Sequence, residues 1–136
     1  MVWKKSVLAG VAVTCLAGCG ESLRSPEGTV PVSGVVKYND QPVEDALVEF
    51  IPQKGPKAIG TTDADGNFKL TTTLKNDGAV VGEHRVAVTK REPMDPDHPY
   101  ETPKSLIPDK YSSTRTSGLK QSVADKTSDV TIDLKD

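Results

Sequence analysis

The chain has 136 residues, of which 26% are charged and 35% hydrophobic, and its formal net charge is −2. This length suits a single domain that holds its core by packing alone. The mild acidity argues against nucleic-acid binding, which needs a clustered basic surface to replace counterions.

The first nineteen residues have the order of a lipoprotein signal peptide. Two lysines precede about a dozen apolar or small residues, and this run ends in the lipobox Leu16, Ala17, Gly18 and Cys19. A membrane-spanning helix needs about 20 apolar residues, so the run is too short for that alternative. An ordinary secretory signal with an incidental Cys19 is the other alternative. The lipobox spacing favours cleavage after residue 18.

Cys19 is the predicted lipidation site. Two or three acyl chains hold a small domain stably on a membrane, because each buried methylene contributes about 0.8 kcal/mol. The mature chain would have 118 residues, with 15 basic and 19 acidic side chains and a net charge of −4. No thiol would remain for a disulfide, a metal site or catalysis. We expect an extracytoplasmic, lipid-anchored protein at the outer membrane or cell surface; Gly20 merely lacks the Asp that retains some lipoproteins at the inner membrane and does not identify the membrane.

Residues 19–29 are short of apolar side chains and are predicted to be a flexible tether. After them, apolar and polar residues alternate, which is typical of strands that bury one face. Besides a weak strand around Ile59, the alternating segments are 30–40, 46–52, 67–74, 83–90 and 129–136. Phe50, Phe68, Leu70 and Leu74 have the parity of core residues. The pattern predicts an all-β fold for residues 30–136, a single antiparallel β-sandwich of about seven strands.

Two connectors have the composition of tight turns. The first connector, Asn39-Asp40-Gln41-Pro42, joins the first two strands, with Asn39 and Asp40 able to adopt turn backbone angles and Pro42 presetting the exit. In the second connector, Asp63 or Asp65 is predicted to cap nearby amides and Gly66 to adopt a positive φ. A calcium loop with Gly66 at its sixth position would need Asp first and Glu twelfth, where this chain has threonines.

The blocks VSGVVKYNDQPVEDALVEF, TTDADGNF and GEHRVAV resemble the carboxypeptidase regulatory-like domain, a transthyretin-like and Ig-like β-sandwich family. The similarity extends over most of residues 32–134 and is greatest to small bacterial lipoproteins. It implies a noncatalytic module that stands beside an enzyme or is displayed on a surface. The related hydrolases of purine breakdown carry a C-terminal tetrapeptide with Tyr, Arg, Gly and Ser, which this chain lacks.

Neither catalysis nor metal binding is predicted from the residues. His84 and His98 are the candidate imidazole bases, and neither lies in a recognisable Ser, His or Asp motif. His84 alternates with valines and is expected to line the core. Asp95, Asp97 and His98 provide three candidate metal ligands in a proline-rich stretch without a fourth. We therefore predict no catalytic residue, no metal site and no cofactor.

Residues 91–118 contain five prolines and form an unusually long connection, which in a compact domain is typically functional or mobile. One interpretation is an exposed crossover held by Ile107 and Tyr111. The other is a surface that contacts another envelope component. Its candidate contact residues are Tyr100, Glu101, Lys104 and Tyr111.

Two functions of different class follow from these observations. The favoured one is a membrane-anchored, noncatalytic structural or protein-interaction module of the cell envelope, whose partners are envelope proteins or polymers. The alternative is a glycan- or small-ligand-binding sandwich. Glycan sites usually present exposed planar aromatics, and the mature chain has no Trp and offers Tyr100 and Tyr111 for stacking. This shortage favours protein interaction.

Overall fold

The computed structural model describes residues 28–126 and 128–136. Within these ranges the chain is all-β apart from one 3-10 helix at Asp109–Ser112. The strands are β1 Thr29–Val30, β2 Val32–Tyr38, β3 Gln41–Pro42, β4 Leu47–Pro52, β5 Ala58–Thr61, β6 Asn67–Lys69, β7 Ala79–Val80, β8 Gly82–Thr89, β9 Leu119–Val123 and β10 Ser128–Leu134. Seven of these strands have three or more residues, which agrees with the predicted number of about seven, although β9 lies outside the alternating segments identified in the sequence.

Two four-stranded sheets make up the sandwich, and β1 pairs with β7 as a small accessory ribbon. One sheet has the order β10-β2-β3, with β6 also paired to β2, and the other has the order β5-β4-β8-β9. All pairs are antiparallel except β10 with β2, which run parallel over seven residues. The predicted all-β sandwich of mainly antiparallel strands is confirmed, and β10 with β2 is the one parallel pair among the described strands. Alternation reports which face a residue occupies and contains no information on strand direction.

The inner faces of the two sheets form the core. Phe50 and Phe68 lie within it at 0% and 2% exposure, with ring centroids 6.3 Å apart. Leu70 is fully buried as predicted, but Leu74 is 37% exposed. The strand β6 has ended before Leu74, because the Asp77 carboxylate accepts hydrogen bonds from the backbone N–H groups of residues 72–74 and folds them into a turn.

Both predicted turns are present, but the first is shorter than predicted, because Gln41 and Pro42 belong to β3. Asn39 and Asp40 have φ of 47° and 66°, which is the left-handed geometry that closes a two-residue β-hairpin between β2 and β3. Gly66 has φ 78°, and a Cβ there would lie 2.7 Å from the Val36 carbonyl oxygen. This position therefore requires glycine for both its backbone angle and its space.

At the N-terminal end of the described chain, Thr29 already pairs with Val80. The Gly28 carbonyl also accepts from the Val81 N–H at 2.9 Å, so the last two residues of the predicted tether, Gly28 and Thr29, are bonded to the sandwich. Among residues 28–126 and 128–136, no helix has the length and apolar character needed to cross a bilayer.

Candidate interaction site

The long connection after β8 is a folded projection, which we call the arm and define as residues 90–106. At its base the Leu106 N–H donates to the Lys90 carbonyl and the Glu92 N–H to the Lys104 carbonyl, each at 2.9 Å. Arg91 and Ser105 form an antiparallel bridge between these two bonds. The base is thus a short two-stranded ladder, which fixes the direction in which the arm leaves the sandwich.

Two successive turns shape the tip of the arm. The Asp95 carboxylate accepts from the Asp97 N–H at 2.9 Å, and the Asp95 carbonyl accepts from the His98 N–H at 3.1 Å. The His98 carbonyl then accepts from the Glu101 N–H at 3.1 Å. The Asp95 carboxylate is therefore used for turn formation, an ordinary role for Asp before a bend, and Asp97 contributes its backbone N–H.

Every residue from 91 to 102 is exposed, and Tyr100 at the tip is 99% exposed. Met94 is 65% exposed on the same tip. Lone exposed apolar side chains are ordinary on protein surfaces. Here, however, an aromatic and a methionine project from a segment whose backbone is held by hydrogen bonds, which is the form of a preorganised contact surface.

Charge is distributed unevenly over the arm. One side borders a cleft of about 640 Å³ that Arg91 and Lys104 line together with Ser105 and Asp109. A smaller hollow of about 160 Å³ is lined by Glu92, Asp95, His98 and Glu101. The His98 Nδ1 lies 3.5 Å from the Glu101 carboxylate, and both side chains are more than half exposed. Acidic side chains thus gather around the smaller hollow, and Lys104 lines both hollows.

Tyr111 does not belong to this surface, and its assignment as a partner contact is wrong. Its side chain is 7% exposed and belongs to the core cluster. Its hydroxyl donates to the Lys135 carbonyl at 2.8 Å and accepts from the Lys135 N–H at 2.9 Å. With Ile107, which is 5% exposed, it anchors the end of the connection on the sandwich. The crossover interpretation thus describes residues 107–111, and the candidate contacts Tyr100, Glu101 and Lys104 remain exposed on the arm.

The Asp-rich turn lies on a different part of the molecule. The Asp63 carboxylate accepts from the N–H groups of Asp65 and Asn67 at 3.0 and 2.9 Å, so Asp63 is the capping residue. The Asp65 side chain makes neither of these bonds. Beside this turn is an open cleft of about 460 Å³, lined mainly by polar side chains. Those lining residues include Ser33, Asp63, Asn67, Lys69, Asn76 and Asp129.

The two histidines have contrasting surroundings. His84 is 1% exposed, and its ring lies 5.7 Å from that of Phe50. Its Nε2 lies 2.7 Å from the Val80 carbonyl, so we assign the proton to Nε2, and Nδ1 has no hydrogen-bond partner. The expectation that His84 lines the core is confirmed. In the described part of the chain, no three His, Cys, Asp or Glu side chains are grouped closely enough to hold a metal ion.

A polar cluster joins the end of β2 to the residues that follow its parallel neighbour β10, and it was not anticipated from the sequence. The Tyr38 hydroxyl and the Asn39 amide donate to the Asp136 carboxylate. The Tyr38 bond, followed by the Asn39 bond, lowers the pKa of Asp136, and the same bond raises the pKa of Tyr38. These partners are nearly one hundred residues apart, and no local pattern links them.

The predicted signal-recognition residues Leu16, Ala17 and Gly18 and the predicted lipidation site Cys19 lie outside the described residues. They remain sequence-based predictions. Most of the predicted tether lies outside the described residues as well.

No family model matches this chain, and no curated protein matches it. Among solved structures, a 9R-lipoxygenase from Cyanothece PCC8801 is 16% identical with a TM-score of 0.41, over 85% of this chain and 18% of the lipoxygenase. The dioxygenase domain of a dioxygenase carbohydrate-binding protein fusion from Streptomyces sp. SirexAA-E is 17% identical with a TM-score of 0.34, over 82% of this chain and 86% of that domain. Both TM-scores are below 0.5 and indicate neither a shared topology nor a shared activity.

Proposed function

We propose that this chain is a membrane-anchored extracytoplasmic lipoprotein whose β-sandwich is a noncatalytic protein-interaction module of the cell envelope. The anchor is proposed from the lipobox that ends at Cys19. The resemblance to carboxypeptidase regulatory-like domains agrees with an all-β sandwich, and it supports a binding role rather than a chemical one.

One observation carries the proposed interaction: Tyr100 is 99% exposed on an arm whose base and tip are held by backbone hydrogen bonds. A tyrosine offers a large, amphipathic contact area with few rotatable bonds. A backbone fixed before binding reduces the entropy lost on association. Glu101 and Lys104 add one charge of each sign close to this ring in sequence, which suits the polar rim of a protein interface.

The anchor is tested by phase separation in detergent. We expect the intact protein to enter the detergent phase and a Cys19→Ala variant to remain in the aqueous phase, because the variant cannot carry a diacylglyceryl thioether. Equal partitioning of the two proteins into the aqueous phase would remove the anchor from the proposal.

The interaction is tested by chemical crosslinking in native cells followed by mass spectrometry. A variant with Tyr100, Glu101 and Lys104 all replaced by Ala is compared with the unmodified chain. We expect the variant to lose a discrete set of crosslinked envelope proteins while its unfolding midpoint stays unchanged. Undiminished crosslinking would show that the arm is not the binding surface and would point to the faces of the sandwich instead.

A second function has one observation in its favour. The cleft beside Asp63 presents carboxylate, amide, hydroxyl and ammonium groups together, and such a mixture can hydrogen-bond a glycan or another polar small ligand. Its aromatic component is the edge of Phe68, which is 2% exposed and leaves no free ring face for stacking. Binding of the full-length chain to a glycan array, abolished by Asn67→Ala and unaffected by Tyr100→Ala, would favour this alternative over the arm.

A further inference from the structure

Strand β10 forms one edge of its sheet. It pairs with β2 on one side, and no strand among the described residues pairs with its other side. Its sequence, Ser-Asp-Val-Thr-Ile-Asp-Leu, contains no proline and no lysine, which are the residues that commonly protect an edge from further pairing. A seven-residue edge of this kind is a template for an added strand.

The hydrogen-bond pattern identifies the backbone groups that face outward. The Leu134 carbonyl accepts from the Asn39 N–H at 3.0 Å, so Leu134 points its backbone toward β2. In a parallel pair, alternate residues of a strand bond to the neighbour and the intervening ones point away. The residues that point away are therefore Asp129, Thr131 and Asp133.

Tyr111 supports this assignment independently. Lys135 is the next residue of the outward-pointing series, and the Tyr111 hydroxyl engages both its N–H and its carbonyl. The Tyr111 hydroxyl thus satisfies the outward backbone groups of Lys135, and the free edge ends there. No described residue forms a hydrogen bond to the outward backbone groups of the three preceding positions.

The other sheet is better protected at its edges. Beside β5, the N–H groups of Ile59 and Thr71 each donate to the other residue's carbonyl, at 2.9 and 2.8 Å. Strand β9 has five residues and carries the exposed Lys120. The open edge of β10 is longer than either of these.

The side chains on the outward-pointing residues discriminate between occupants. Asp129, Thr131 and Asp133 are all exposed. In a full-length antiparallel pairing of β10 with a second copy, Asp129 would face Asp133 twice, and directly opposed like charges destabilise a sheet. A strand with basic residues at those two positions would form opposite-charge pairs instead.

We propose that the free edge of β10 binds an extended segment of a partner protein, which adds a strand to the sheet and carries Lys or Arg four positions apart, opposite Asp129 and Asp133. Three outward N–H groups and three outward carbonyls supply the ladder, and the two carboxylates select basic segments. This surface is separate from the arm and does not depend on the function proposed for it.

The probe is the peptide Thr-Lys-Thr-Val-Thr-Lys-Thr with blocked termini, and the control peptide has Glu in place of both Lys residues. Amide hydrogen exchange is followed by NMR in the full-length chain carrying Cys19→Ala. We expect saturating Lys peptide to slow exchange of the Asp129, Thr131 and Asp133 amides by at least about tenfold, because each becomes hydrogen-bonded. The Glu peptide should leave their exchange unchanged.

Two variants separate the backbone contribution from the charge contribution. Thr131→Pro removes one outward N–H without removing a bond to β2, since proline is tolerated on the free side of an edge strand. We expect it to abolish peptide binding, whereas the matched Thr131→Val variant, which keeps the N–H, should bind normally. Replacing Asp129 and Asp133 together by Lys should transfer binding to the Glu peptide.

Three results would overturn the proposal. The first is that these three amides exchange slowly in the free chain. The second is that neither peptide slows them. The third is a concentration-dependent dimer that protects the same amides, which would make a second copy the occupant.

Discussion

Phe50 in the sandwich has no exposed surface, whereas Tyr100 on the arm is 99% exposed. The sandwich residues are fixed by mutual burial, and a change at one of them is felt by its neighbours. The arm is fixed by backbone hydrogen bonds and by the turn that the Asp95 carboxylate caps, and exposed side chains such as Tyr100 and Met94 lie outside these bonds. Substitution of an exposed arm side chain such as Tyr100 should therefore leave the fold intact.

The largest effect should follow truncation of a core aromatic. Phe68 is 2% exposed and its ring lies 6.3 Å from that of Phe50. Phe68→Ala should lower the free energy of unfolding by roughly 3–5 kcal/mol, since a buried aromatic leaves a cavity. Denaturant unfolding measures this change in the free energy of unfolding. Tyr100→Ala is the control and should change the free energy of unfolding by less than about 0.5 kcal/mol. An unchanged unfolding midpoint for the Phe68 variant would contradict the claim that burial of this side chain stabilises the sandwich.

A smaller loss should follow substitution of the glycine in the Asp63 turn. Gly66→Val should cost roughly 1–3 kcal/mol for its positive φ alone, with a further cost from the nearby Val36 carbonyl. Gly118 has φ 66°, and no heavy atom lies within 4 Å of the position that a Cβ would take there, so Gly118→Val reports the backbone cost by itself. The melting temperature of Gly66→Val should be lower than that of Gly118→Val. The reverse order would refute the close contact with the Val36 carbonyl.

Loss of the turn cap should have a more modest effect. Asp63→Ala removes the acceptor for two backbone N–H groups and should cost about 1 kcal/mol, as other side-chain caps do. Asp65→Ala should be nearly neutral. Millimolar calcium should leave the melting temperature of the unmodified chain unchanged, since a ligand of the native state would raise it. A rise of several degrees would replace the capping role with an ion site.

The smallest expected effect is on the loss of stability at low pH. Hydrogen bonds from Tyr38 and Asn39 lower the pKa of Asp136 in the folded chain. A carboxyl with a lowered folded-state pKa contributes stability that is present above its unfolded pKa, near 3.8, and is lost as the pH falls further. Tyr38→Phe should therefore flatten the fall of unfolding free energy as the pH drops below about 4. Identical pH profiles would show that this exposed cluster adds no measurable stability.

Much of the sandwich could be predicted because burial imposes a period of two on the sequence. Val48, Phe50 and Phe68 reveal their faces in this way, and Gly66 reveals a turn through its neighbouring aspartates. The direction of β10 could not be predicted, because parallel and antiparallel strands alternate identically. Leu74 has the parity of a core residue, but β6 ends before it. Leu74 lies in the turn that the Asp77 carboxylate caps.

The candidate site was only partly accessible to sequence reasoning. The prolines marked residues 91–118 as unusual, and Tyr100 was correctly expected to be available for contact. Tyr111 was misassigned because a four-residue 3-10 helix is too short to produce a recognisable period. Its contact with Lys135 joins residues that are 24 positions apart, and no local signal reports such a contact.

Site-specific photo-crosslinking in living cells is the sharpest test of the arm as a contact surface. A photoreactive phenylalanine analogue is placed at Tyr100 on the arm and, in a matched control, at Lys120 on the exposed surface of β9. We expect a discrete crosslinked adduct with another envelope protein from position 100 and none from position 120. Adducts from position 120 with none from position 100 would contradict the assignment of the arm as the contact surface.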